Sequence, residues 1–213
     1  MSNKYDAVLY DLDGTLTDSV PIILKSFHMC YMEVLGEVPR SDENLTSYIG
    51  KPLMEIFTDY HDEKTSKALF DAYLRVNEAM LANDELNMFD GVMDSLLRLH
   101  ERGVRQGIVT SKRFDSAMVT IKLKGLDKIF EQITVLENTT KHKPDPEPLI
   151  YSASKMGITD MKKIIYVGDA VVDYECALNA GTDFALVDWT KMNRDDFKRL
   201  GTPRIITSLD DIL

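Results

Sequence analysis

The stretch YDLDGTLTDS, Tyr10 to Ser19, decides how the rest of the chain is read. It follows the apolar run Ala7-Val8-Leu9, so two carboxylates, Asp11 and Asp13, emerge where a buried strand runs out into Gly14. A carboxylate taken out of water is costly unless a cation or hydrogen-bond donors compensate it. Neighbouring strand side chains point to opposite sides, so Asp11 and Asp13 flank a Leu12 that turns away between them. Gly14 lets the backbone turn, and Thr15 begins the departure from the strand. Asp18, in the same run, reads as a helix-start residue.

Outward from this stretch, short apolar and β-branched runs recur at Val104–Val109, Ile129–Val135, Ile164–Val167 and Phe184–Val187, with a weaker one at Arg204–Ile206. Helix-like segments separate most of them. This alternation predicts an α/β fold, a mostly parallel sheet covered on both faces. Residues 17–88 interrupt the pattern with apolar residues at helical spacing, such as Ile22, Phe27, Tyr31, Leu69, Tyr73 and Met80. That stretch is too long for an ordinary strand–helix loop. It predicts an inserted helical domain at 17–88, with residues 1–16 and 89–213 forming the α/β core. Most of the net negative charge falls in the insert and reads as a solvated helical surface. Met29, Met32, Met80, Met88 and Met93 read as core filler between helices.

The formal net charge of −10 argues against a nucleic-acid surface, which needs a basic patch. No apolar run approaches the ~20 residues of a membrane helix, and the N-terminus lacks a signal-peptide layout. Cys30 and Cys176 stand apart from any metal-binding spacing and read as reduced core residues. The expectation is a cytoplasmic protein, monomer or homodimer, with no nucleic-acid or membrane partner.

Ligands of open α/β sheets bind beyond the carboxyl ends of the strands. Each apolar run here gives way to polar residues. Asp11 and Asp13 come after the first, Thr110, Ser111 and Lys112 after the second, Lys141 and Lys143 after the third, and Asp169 and Asp173 after the fourth. If the strands are parallel neighbours, these groups converge and suit a phosphoryl group held with a hard cation. Carboxylates without nearby His or Cys favour Mg²⁺ over Zn²⁺. An ionised Asp can attack phosphorus, and a second can protonate the leaving oxygen and then deprotonate water.

With these motifs in place, the chain resembles the haloacid dehalogenase superfamily, in its phosphatase branch with a helical cap inserted after the first motif. DLDGTLTDS matches the DxDGT signature, IVTSK the strand ending in Thr or Ser, KPDPEP the Lys-Pro loop, and VGDAVVDYECALNAG the GDxxxD motif. The resemblance implies a three-layer Rossmann-like core with strand order 5-4-1-2-3. It implies Asp11 as nucleophile and Mg²⁺ ligand, and Asp13 as general acid/base and as a metal ligand through its carbonyl. Thr110, Ser111 and Lys143 would hold the phosphoryl group, and Asp169 and Asp173 would complete the metal site. Ala170 departs from the family, where many relatives carry Ser or Thr.

Asp13 argues against dehalogenation, which needs no protonated leaving oxygen. Ile23 stands where sugar-phosphate mutase relatives carry a histidine. The resemblance is strongest to phosphoglycolate phosphatases and bacterial pyrophosphatases, so the partner is a small phosphorylated metabolite. A β-phosphoglucomutase-like mutase and a non-catalytic phosphate-binding regulator are the alternatives. Lys51, in the insert segment YIGKPLMEIF, is the candidate to meet a second anionic group of the substrate. Arg113 is a lesser candidate; His142 reads as a loop residue and Trp189 as a packing one.

Overall fold

The computed structural model describes residues 4–83 and 86–212. Residues 1–3, 84–85 and 213, which the expected core and insert spans include, lie outside the described residues. The chain begins with β1 (Ala7–Tyr10), enters the insert through β2 (Thr17–Asp18), and then forms α1 (Val20–Leu35), α2 (Asp42–Thr46), α3 (Leu53–Thr58) and α4 (Glu63–Ala82). It leaves through β3 (Asn87–Met88) and continues as α5 (Val92–Glu101), β4 (Arg105–Val109), α6 (Phe114–Leu123) and β5 (Gln132–Thr134). The last elements are α7 (Glu147–Lys155), β6 (Ile164–Gly168), α8 (Val171–Ala180), β7 (Asp183–Val187) and β8 (Arg204–Ile206).

The large sheet runs β5-β4-β1-β6-β7-β8, with every pairing parallel. Parallel strands need covered faces, and β1 and β6 are accordingly buried along their whole length. One apolar cluster joins Val8, Tyr10 and Ile165 to Leu96 of α5 and Ile121 of α6. The opposite face joins Leu9, Ile164 and Tyr166 to Leu149 of α7 and Ala177 of α8. The three-layer architecture therefore follows from strands apolar on both sides. The expected five-strand order is present, read from the other edge, and β8 extends it by a sixth strand. Among the described residues, no helix is long and apolar enough to cross a membrane.

The helices of the insert form their own apolar cluster around Phe27, Tyr31, Phe57 and Tyr73. Phe57 packs edge-on against Phe27, Tyr31 and Tyr73. Helix α4 starts at Asp62, whose carboxylate accepts from the Thr65 backbone N–H, and α1 stops at Gly36 in the left-handed conformation. The antiparallel β2–β3 ribbon joins the insert to the core.

Three local expectations are corrected. Only Gln132–Thr134 of the run Ile129–Val135 pairs as a strand, because a 3-10 turn at Leu126–Lys128 precedes it and turns Ile129 and Phe130 into the core. Asp18 pairs with Asn87 in the ribbon, and Ser19 takes the helix-cap position. Met29 and Met32 are 46% and 53% exposed, because the buried stripe of α1 runs through Ile23, Phe27, Cys30 and Tyr31 and leaves them beside it. Met80 is buried, and Met88 and Met93 pack against the core as expected. Both cysteines are buried thiols.

Replacing Phe57 with Ala removes a ring buried among three others. It should lower the unfolding free energy by about 3–5 kcal/mol in urea denaturation, while β1–β6 pairing survives.

Candidate active site

Strands β4, β1 and β6 lie side by side, so the segments after their carboxyl ends meet at one edge. The Asp11 backbone N–H donates to the Val167 carbonyl at 2.9 Å, which carries the β1 ladder one residue beyond the strand. This fixes the Asp11 carboxylate at the sheet edge, where it is buried.

Lys143 reaches the same point from the loop before α7. Its ammonium donates to Asp11 Oδ1 at 2.7 Å, to Asp173 Oδ1 at 2.7 Å and to the Tyr166 hydroxyl at 2.8 Å. The loop is held by side chains on α8, with Asn179 Nδ2 donating to the Pro144 carbonyl and the Cys176 thiol to that of Asp145. Tyr166 in turn donates to the Val109 carbonyl at 2.9 Å. Asp173 Oδ2 accepts from the Ala170 N–H at 3.1 Å, which closes the first turn of α8. Both Asp173 oxygens are thus engaged.

Asp169 differs. Its Oδ1 accepts from Thr15 Oγ1 at 3.2 Å, while its Oδ2 is buried without a partner. Gly14, at φ +84°, makes room for it, since a Cβ there would lie 2.3 Å from Asp169 Oδ2. Carboxylate oxygens of Asp11, Asp169 and Asp173 lie within 4.8 Å of one another. An all-oxygen donor set with one orphaned oxygen fits a hard divalent cation and offers nothing for a thiophilic one.

The electrostatics follow from this crowding. Burial pushes the Asp11 pKa up to about 7, with the Lys143 charge opposing and the Asp173 charge adding to the rise. Burial, then the neighbouring carboxylates, raises Asp169 well above the ordinary range. Burial works against the charge on Lys143, but Asp11 and Asp173 more than offset it and hold its pKa above the usual lysine value.

Asp13 stands apart from this buried group. Lys112 Nζ lies 3.0 Å from each of its carboxylate oxygens. Thr110 Oγ1 accepts from the Lys112 N–H at 3.1 Å, so one short turn orients both residues, and the Ser111 hydroxyl is buried without a partner. A cavity of about 240 Å³ opens here, with Asp11, Asp13, Thr110 and Ser111 on its wall and Lys51 on the insert side. Lys51 lies 5.9 Å from the Tyr48 ring centroid. Lys143, Asp169 and Asp173 do not line this cavity. Arg113 does, but its Nε donates to Glu137. Trp189 donates to the Thr15 carbonyl and packs on Phe89.

Two members of this arrangement carried no role in the sequence reading. Lys112 was visible as a cation beside Thr110, but its pairing with Asp13 joins residues far apart in the chain. Tyr166 sits in the apolar run of β6, where its hydroxyl was the one polar signal.

Comparison with known proteins agrees with this geometry. The family model for haloacid dehalogenase-like hydrolases matches residues 8–187. A Clostridium perfringens protein provisionally named pyrophosphatase PpaX is 38% identical over 186 residues, 87% of this chain and 85% of that protein. Pyrophosphatase PpaX of Bacillus velezensis is 32% identical over 99% of this chain and 95% of its own length. Among solved structures, a Bacteroides fragilis protein provisionally described as a haloacid dehalogenase-like hydrolase superposes with a TM-score of 0.87. It is 28% identical, with 99% of this chain and 100% of that one covered.

The Asp11 environment gives a pH test in metal-free buffer. Its folded-state pKa, about 7, lies above the unfolded value near 3.8, so the folded state holds its proton more tightly. That contribution is complete below the unfolded value and is lost as pH rises toward 7. Thermal melts in EDTA should therefore show stability falling between pH 5 and pH 8. The fall should be clearly smaller in Asp11→Asn.

Proposed function

The chain belongs to the haloacid dehalogenase-like hydrolases and is a phosphatase of that family. On this footing we propose that it is a Mg²⁺-dependent phosphohydrolase that works through a phosphorylated Asp11, acting in the cytoplasm on a small phosphorylated metabolite. The observation that carries the reading is the buried Asp11 carboxylate, held by Lys143 at the strand edge and open to the cavity. A bound Mg²⁺ would supply positive charge to set against the anionic substrate, with Asp11, Asp169 and the Asp13 carbonyl as its ligands. Asp173, already occupied by Lys143 and Ala170, would take part through water.

The residues divide the work. Asp11 attacks phosphorus, and the bond to the leaving oxygen breaks. Asp13 protonates that oxygen, then removes a proton from the water that hydrolyses the phospho-aspartate. Lys112 holds the Asp13 carboxylate between these two transfers. Thr110 and Ser111 hold the phosphoryl oxygens, and Lys143 joins them by giving up one of its three present partners; loss of one such contact typically costs about 10²-fold or more in rate. Residues 17–88 act as the cap domain whose closure keeps bulk water out.

Asp11→Asn should abolish turnover and leave the circular dichroism spectrum unchanged. EDTA should do the same reversibly, with Mg²⁺ restoring activity. Appreciable Mg²⁺-dependent hydrolysis by the folded Asp11→Asn protein would overturn the mechanism.

A further inference from the structure

The wall of the cavity changes character along its length. At the inner end are Asp11, Asp13 and Thr110; beyond them α1, α3 and α4 contribute Ile23, Phe27, Ile56, Phe70, Tyr73 and Leu74. The cavity measures about 240 Å³, and its insert-side wall is mainly apolar, with Tyr48, Tyr73 and Asn77 as the neutral polar side chains there. The basic groups are few and mostly committed. Lys112 is paired with Asp13, and Arg113 with Glu137. Lys51 is left as the one basic group on the wall without a carboxylate partner among the described residues.

This distribution discriminates between leaving groups. Pyrophosphate would push a multiply charged orthophosphate into the space between these apolar side chains, where one lysine cannot replace its hydration. Glycolate would place one carboxylate there, within reach of Lys51, but would bury almost no apolar surface. An apolar alcohol gains instead, because each unit of apolar surface it buries is favourable. The insert packs against the core beside Lys51, on the Asp169 side. Gly50, at φ +93° beside Lys51, packs so near α8 that a Cβ would come within 2.9 Å of Val172 and 3.4 Å of Ala170.

Building on the phosphatase reading, we infer that the substrate is a phosphomonoester of a compact apolar alcohol, aromatic or branched, carrying at most one further anionic group for Lys51. Asp11 forms the bond to phosphorus as the ester P–O bond breaks. The alcohol oxygen takes its proton from Asp13, and water then releases orthophosphate. The apolar part sits between α1 and α4 throughout.

The test compares kcat/KM with Mg²⁺ for benzyl phosphate, ethyl phosphate, phosphoglycolate and pyrophosphate. Benzyl phosphate should exceed each of the others by about tenfold or more, with ethyl phosphate controlling for leaving-group chemistry. Leu74→Gln should narrow the benzyl-to-ethyl ratio several-fold. Equal or better turnover of pyrophosphate or phosphoglycolate would overturn the inference and leave the aspartate mechanism standing. Calorimetric titration of Asp11→Asn separates the two claims, because it needs no turnover. Tighter binding of benzyl phosphate than of pyrophosphate supports the cavity assignment, even where the wild type hydrolyses nothing and the catalytic reading falls. Tighter binding of pyrophosphate overturns the cavity assignment.

Discussion

The Lys143 ammonium, buried between Asp11 and Asp173, is the interaction on which the site depends. A single buried charge of either sign would be prohibitive, and a lone pair would be of doubtful benefit. Here the ammonium is fully used by two carboxylates and a tyrosine hydroxyl. Three neighbouring carboxylates against one ammonium still leave negative charge in excess, which adds to the burial that chiefly raises the Asp11 and Asp169 pKa values. The family generally uses a divalent metal, and such an ion would close that imbalance. The sheet holds these charges together. The ends of β1 and β6 and the loop after β5 deliver them to one edge, and at Gly14 and Gly168 no side chain would fit beside Asp169 and Asp173.

Burial divides the two aspartates of the opening stretch into different kinds of group. Asp11 is enclosed with Lys143, whereas Asp13 is partly open and answered by Lys112. A nucleophile gains from a fixed position and limited hydration. A proton carrier must exchange with a leaving group and with water, which the cavity side allows. Alternation turns Leu12 into the core and leaves Asp11 and Asp13 on the other side; they differ in burial because Asp11 directly follows β1 whereas Asp13 lies two residues farther out, in the turn.

The sequence was legible where one residue type answers one physical demand. Alternating apolar runs and helical segments gave the layers, and the family resemblance implied the five-strand order. Polar residues after each run pointed to Asp11, Asp13, Thr110, Lys143, Asp169 and Asp173, all of which the fold brings to one edge. What was not legible depends on partners distant in the chain. The fork of Lys112 on Asp13, the tyrosine beneath Lys143 and the β8 addition each need the assembled sheet. Met29 and Met32 were misplaced because composition identifies an apolar residue but not its angle on the helix. Asp18 failed as a helix start because the β2–β3 ribbon claims it first.

In the proposed mechanism Asp11 itself becomes phosphorylated. The most direct measurement is rapid acid quench of the enzyme during turnover of labelled substrate, followed by proteolysis and mass spectrometry. Label should appear on the peptide carrying Asp11, decay as orthophosphate is released, and be absent from the Asp11→Asn protein. Turnover with no phosphorylated peptide, together with inversion rather than retention of configuration at a chiral phosphoryl group, would contradict it.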